Sequence, residues 1–223
     1  NSQLTDKLVQ FKRWYAQAGT PRVQARGQYD AASHTYTLTL SQHCGPTLGQ
    51  PSKEPFVIPV AMGLVAADGR NLNLHLEGEA MPMGHNTVLV LSEKEQTFTF
   101  VHVPVEPVPS LLRGFSAPVV LEAELSDEAL FTLLAHDLDP FNRWEAGQKL
   151  ALRRMLAAVA GNGHVELDAK FVSALRDVLR HPELDAAFKE LVLTLPSEAY
   201  VAEQVLVVDP QRIHEVREGM KQQ

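Results

Sequence analysis

Residues 117–134 read APVVLEAELSDEALFTLL, and the character of the chain changes inside them. Up to Leu125 the sequence holds nine of the 13 Gly and ten of the 14 Pro, with short runs that alternate apolar and Thr/Ser/Gln residues. That is the pattern of strands joined by turns. From Ser126 onward four Gly and four Pro remain, and apolar residues recur at helical spacing behind Ser or Asp caps. Strands first and helices after argue for two segregated units and against a βαβ array with its Gly-rich phosphate loop. The expected fold class is therefore all-β then all-α. An Ig-like antiparallel β-sandwich spans 20–125, and a helical domain resembling a HEAT or armadillo α-solenoid spans 126–223.

Upstream of the change, residues 5–18 read as a helix with Leu8, Phe11, Trp14 and Tyr15 on one face, and Gly19 can end it in the left-handed conformation. Strands are expected at 21–29 and 35–42, as a hairpin across 30–33. Tyr36, Leu38 and Leu40 would point to one side. Further strands are expected at 56–66 and 71–76 around the Asp68-Gly69 turn, at 86–91, at 96–103 with Phe98 and Phe100 alike in direction, and at 117–124. The Pro-rich residues 45–55 and 104–109 read as connections.

Downstream, Ser126 is placed to cap a helix whose first turn carries Asp127 and Glu128 and whose buried face is Leu130, Leu133 and Leu134. Asp139-Pro140 starts a second helix. Its Phe141, Trp144, Ala151, Leu152, Met155, Leu156 and Val159 fall within about 140° at 100° per residue, and Gly161-Asn162-Gly163 ends it. Asp168 caps a third helix with Phe171, Val172, Leu175, Val178 and Leu179 as its stripe. A fourth carries Leu184, Phe188, Leu191, Val192 and Leu195 before Pro196, and Ser197 opens a short one. Asp209-Pro210 opens the last, with Ile213, Val216 and Met220 on one side. Nothing later in the chain offers cover for that side, nor for Tyr200, Val201, Val205 and Leu206. The last helix is thus expected either to fold back on the array or to self-associate.

The formal charge is -7, divided as 9 Lys+Arg against 11 Asp+Glu up to Leu125 and 11 against 16 beyond. Neither part has the basic field that nucleic-acid binding needs. No run of 18 apolar residues exists for a membrane span. A single Cys44 and no secretory leader favour a reducing, cytoplasmic setting. The first residues lack Met and read as the interior of a longer chain.

Residues that carry chemistry elsewhere are present here without their companions. A helical zinc-peptidase motif needs two His at i and i+4 with a Glu between them. His214-Glu215 begins that pattern, but Glu218 stands where the second His belongs. His75, Glu77, Glu79 and His85 have no metal-ligand spacing. His43 and Cys44, as strand neighbours, point apart. Gly114-Phe115-Ser116 lacks the closing Gly of a nucleophile elbow, so Ser116 reads as a turn residue. Arg143 reads as a structural partner of Asp137 or Asp139 beside a packed Trp144.

Four stretches, FKRWYAQAGTP (11–21), YDAASHTYTLTLSQHCGPTLGQPSKEPFVIPVAMGL (29–64), PVPSLLRGFSAPVVL (107–121) and LLAHDLDPFNRWEAGQ (133–148), together resemble the segment after the catalytic domain in the bacterial alanyl-aminopeptidase family of zinc metallopeptidases. The resemblance runs from Phe11 to the end and is most specific between Trp14 and Gln148. It implies that residues 1–19 are a linking helix from a catalytic domain, that the sandwich is the family's third domain, and that the helices begin a large fourth domain capping the active-site cavity. In that family the HExxH zinc ligands and base, the distal Glu, the GAMEN motif and the transition-state Tyr all lie in the preceding domain. None of these motifs occurs here, so the resemblance carries over no catalytic, substrate-binding or metal-binding residue, and zinc belongs to the parent enzyme. The implied partners are the parent's catalytic and remaining helical domains. The competing class is a freestanding scaffold module that presents a peptide-binding groove.

Overall fold

The computed structural model describes residues 8–161 and 165–223, in which seven strands precede a series of helices. The chain divides into two compact units, Asn1–Leu125 and Ser126–Gln223.

In the first unit β1 (Arg22–Asp30), β2 (Thr35–His43), β5 (Glu95–Phe100) and β7 (Val120–Ala123) form one sheet in the order β5-β2-β1-β7. β3 (Ile58–Ala66), β4 (Thr87–Leu91) and β6 (Pro107–Leu111) form the other in the order β4-β3-β6. All pairings are antiparallel except β1 with β7. The β1–β2 hairpin turns at 31–34, where Asp30 accepts from the Ala32 N–H and the Ser33 hydroxyl. Along β2 the expected alternation holds: Tyr36, Leu38 and Leu40 are buried and join Phe56, Ile58, Leu64, Leu74, Leu91 and Phe100 in one core. Gly27 on β1 is required by that core, because a Cβ there would overlap the Tyr36 ring. Burial holds the Tyr36 phenol protonated well above the usual tyrosine range.

Three expectations for this unit are corrected. Residues 71–76 are not a strand: they make single bridges, Asn71 to Val65 and Leu76 to Phe100, because Met83 and Gly84 take both backbone groups of Leu74. The seventh strand is instead β6, inside the Pro-rich stretch read as a connection. Pro107 and Pro109 are tolerated there because each sits at a pair that exchanges no hydrogen bond with β3. The opening helix is interrupted by a turn at Lys12, leaving helical residues 8–11 and α1 (Arg13–Ala16). Its expected face does not bury as a unit. Trp14 stacks on Phe56 at 4.7 Å between ring centroids, while Leu8, Phe11 and Tyr15 are exposed. Gly19 does take the left-handed conformation, three residues past the helix end.

The second unit comprises α2 (Asp127–His136), α3 (Pro140–Ala160), α4 (Ala169–Arg180), α5 (Ala186–Leu193), α6 (Glu198–Ala202) and α7 (Pro210–Gln222). Every expected cap forms. The side chains of Ser126, Asp139, Asp168, Ser197 and Asp209 each accept a hydrogen bond from a backbone N–H in the first turn of their helix. Asp185, not singled out from the sequence, does the same for α5. α3 is the central helix, packed against α2, α5, α6 and α7. That position corrects its expected face. A helix with neighbours on several sides buries a band of small residues, Ala146, Gly147, Ala151 and Ala158 with Leu150 and Met155, while Phe141, Trp144, Leu152, Leu156 and Val159 are only half-buried. Of the end expected for α3, only Gly161 lies among the described residues.

Of the two outcomes expected for the last helix, folding back is the one seen. α7 folds back against α3 and α6, and its Ile213, Val216 and Met220 are 1%, 1% and 3% exposed. Val201 is likewise buried. These side chains are therefore covered within one chain and offer no surface for self-association. The exposed apolar residues of this region are Leu206, Val207 and Val208 in the link before α7, together with Tyr200.

Candidate functional site

Several side chains that suggested chemistry in the sequence have local partners. His214 Nδ1 lies 2.8 Å from Glu198 on α6, and Glu218, at the position a second zinc-binding His would hold, pairs with Arg217 and Lys221. His75 Nε2 lies 2.9 Å from the Glu79 carbonyl oxygen, and its ring stands 5.4 Å from that of His102. Cys44 Sγ faces the Ala18 carbonyl at 3.8 Å. The Ser116 hydroxyl accepts from the Ala61 N–H at 2.9 Å, which uses it as a structural acceptor inside a turn. Among the described residues no three His, Cys, Asp or Glu side chains gather as ligands for a metal ion.

Arg143 has partners beyond the expected Asp137 or Asp139. Its guanidinium donates to the carbonyls of Leu134 and Ala135, both at 3.0 Å, and so closes the C-terminal end of α2, where the helix dipole favours a cation. Burial pulls its pKa down, and the charge of Asp137 opposes that pull. Trp144 stacks against Phe141 at 5.3 Å.

Two arginine centres that the residue-by-residue reading passed over organise the units. Arg113 is 8% exposed and follows Leu112, whose backbone is left-handed at φ 56°. Its Nε donates to Ser110 Oγ at 2.7 Å, and its terminal nitrogens reach the His85 carbonyl, Asn86 Oδ1 and Asn71 Oδ1. The guanidinium lies flat over β3 at Gly63, where any Cβ would overlap it. One side chain thus ties β3, β6 and the 71–86 loops together. No spacing rule marks a buried Arg, and only its place in the run 107–121 sets it apart. In the helical unit Arg154 sits over the rings of Phe131 and Phe171, at 5.7 Å and 4.7 Å, and binds both Asp127 at the start of α2 and Asp168, the cap of α4. Arg153 and Lys170 extend the network to Asp127 and Glu128.

The lead-in helix forms a third centre. Gln10 and Arg13 donate to the Pro55 carbonyl, Trp14 Nε1 to that of Val57, and Gln17 to that of Glu54. Gln50 in turn accepts from the Ala18 N–H and donates to the Ala16 carbonyl. A 480 Å³ cleft between this helix and the 54–55 and 92–93 loops is closed on one side by the Arg13–Glu54 ion pair. In the helical unit a 190 Å³ apolar cleft lies among Phe171, Leu175, Leu195 and Met220.

A sandwich of two unequal sheets followed by capped, pairwise-packed helices is the architecture of an Ig-like domain followed by an armadillo-type domain. Residues 19–124 match the family described as a domain of unknown function (DUF3458) with an Ig-like fold, and residues 127–223 match its companion, DUF3458_C, described as ARM repeats. Over 96% of its length the chain is homologous to aminopeptidase N. It is 38% identical over 216 residues to aminopeptidase N of Escherichia coli, 38% over 219 residues to that of Haemophilus influenzae, and 40% over 214 residues to that of Caulobacter vibrioides. These alignments cover 96–97% of this chain and 24–25% of the relatives, so the chain spans about a quarter of their length. The crystal structure of Legionella pneumophila aminopeptidase A in complex with aspartic acid superposes with a TM-score of 0.77 at 25% identity, covering 96% of this chain and 23% of that one.

Proposed function

We propose that this chain is a non-catalytic portion of a zinc-dependent aminopeptidase that removes N-terminal residues from peptides. In this reading the sandwich is a spacer, and the helices begin the cap over the parent's active-site cavity. The observation that carries the reading is a match to aminopeptidase N that runs through both units without a break. The arginine ties fit such a role: a spacer must hold its shape, and buried charge-assisted hydrogen bonds favour one geometry over its neighbours. Zinc would belong to the parent, where it activates the attacking water. The partners would be the catalytic and remaining helical domains of that parent in a cytoplasmic setting. No helix among the described residues is long and apolar enough to cross a membrane.

The deciding experiment is elemental analysis and an aminoacyl-arylamide assay on the purified chain, repeated with the parent's catalytic portion added. The expected outcome is no stoichiometric zinc and no turnover alone, with association and altered peptide-size selectivity in the mixture. One tightly held zinc per chain with chelator-sensitive turnover would overturn the reading, as would a catalytic portion indifferent to the chain.

A further inference from the structure

The two sheets present four edges, and three of them carry devices that discourage another strand. On β6 the hydrogen-bonded pairs are Gly63 with Ser110 and Val65 with Val108, so Pro107 and Pro109 face their nitrogens outward, where they offer no donor. The outer edge of β5 is covered near its end, where the Val101 N–H donates to the His75 carbonyl and the Glu77 N–H to that of Thr99. β7 has only four residues and follows Pro118. β4 has no such device: Thr87-Val-Leu-Val-Leu91 contains neither proline nor charge. Its parity is fixed by the Ala61 N–H, which turns toward the β6 side to reach Ser116. Ile58, Val60 and Met62 therefore bond to Leu91, Leu89 and Thr87, and Val88 and Val90 direct their N–H and C=O groups away from β3. The next outward carbonyl, that of Ser92, is taken by Gln10 Nε2 at 2.6 Å, so among the described residues the open stretch is Val88 to Val90. Val88 is 56% exposed.

We propose that this edge pairs with the same edge of a second copy, antiparallel about a two-fold axis through Leu89. The stretch is self-complementary. Such an axis sets Val88 against the partner's Val90, and each of these two pairs exchanges both backbone hydrogen bonds. On the outer face the pairs are valine with valine, which pack well across strands. On the core side Leu89 meets the partner's Leu89, and Thr87 meets the partner's Leu91. The strand itself carries no charged side chain. Two three-stranded sheets then become one of six strands. The inference is independent of the aminopeptidase reading.

The test is sedimentation velocity over a dilution series of the intact chain, with amide exchange followed at Val88 and Val90. A reversible dimer is expected, with protection of those two amides rising with concentration. Val88→Lys and, separately, Val90→Pro leave the bonds to β3 in place and should each weaken dimerisation by about tenfold or more, one by charge and one by removing an outward donor. An unchanged melting temperature reports that the variant is folded, and should Val90→Pro unfold, Val88→Lys decides alone. A monomer throughout the series overturns the proposal. So does a dimer that survives the folded variants, or one lost only on Leu206→Ser.

Discussion

The sandwich and the helical array solve the same problem with different reach. In the sandwich the buried side chains come from strands distant in sequence: β2 pairs with β5 across about sixty residues, as in Thr39 opposite Thr97. Large residues such as Phe56, Leu64 and Phe100 are 0–1% exposed. In the array each helix is started by its own cap, and burial is thinner: α4 fully buries only Phe171 and Val178, and α5 only Val192. The first unit depends on long-range agreement, and the second on local signals reinforced by a few ties. The difference teaches where each unit is vulnerable. Each unit also holds one tryptophan, Trp14 or Trp144, so Trp144→Phe and Trp14→Phe backgrounds let fluorescence report on one unit at a time.

The largest effect is expected at Arg113. Arg113→Ala takes the Nε donor from the buried Ser110 hydroxyl, cuts the links to the exposed His85 and Asn86, and vacates the space over Gly63; sandwich stability should fall by about 2 kcal/mol, since losing a buried hydrogen-bond partner costs about 1–3 kcal/mol. Denaturant unfolding followed through Trp14 measures it, and a change under about 1 kcal/mol would contradict the role given to this side chain. Arg154→Ala comes next. Its side chain is 14% exposed but its partners Asp127 and Asp168 are 41% and 47% exposed, so solvent screening discounts the ion pairs. With the ring contacts included, about 1–2 kcal/mol is expected, read through Trp144. Ser126→Ala removes one cap and should cost about 1 kcal/mol in the same experiment.

Acid sharpens the comparison further. Partial burial acts to raise the Asp168 pKa, but the Phe171 N–H and Arg154 outweigh it, and the carboxyl is held below its ordinary value of 3.8. A carboxylate with a depressed folded-state pKa contributes stability that is present above the unfolded value and lost as pH falls through the folded one. The helical unit of the wild-type chain should therefore lose stability more steeply below about pH 4 than that of Asp168→Asn. Parallel curves would remove the linkage. The smallest effect belongs to Leu206→Ser: the residue is fully exposed, and stability should stay within about 0.5 kcal/mol.

Local rules made the helix starts readable in advance, because a cap is a contact between residues two or three apart: Asp139 with Asn142, Asp168 with Phe171, Asp209 with Arg212. They also marked the inward side of β2. They failed where neighbours decide. Pro107 and Pro109 read as loop until β3 supplies a register in which their missing donors point outward. Residues 71–76 alternate like a strand but meet a partner only at their two ends. The buried side of α3 depends on how many helices surround it, which no periodicity states. For the site, spacing rules excluded His214 and His75 as ligands of a recognised motif, yet the arginines that matter most, Arg113 and Arg154, have partners up to 42 and 27 residues away.

The lead-in helix has a mechanical consequence. Gln10, Arg13, Trp14 and Gln17 bond it to residues 54–57 and Gln50 bonds its end, several short bonds acting side by side. A pull applied at Leu8 therefore loads those bonds together, in shear, before any tension reaches the first ladder rung of β1 at Arg22. The strap works as a strain relief: a tug on the chain ahead of it is spent at the rim, and the strands behind it keep their register.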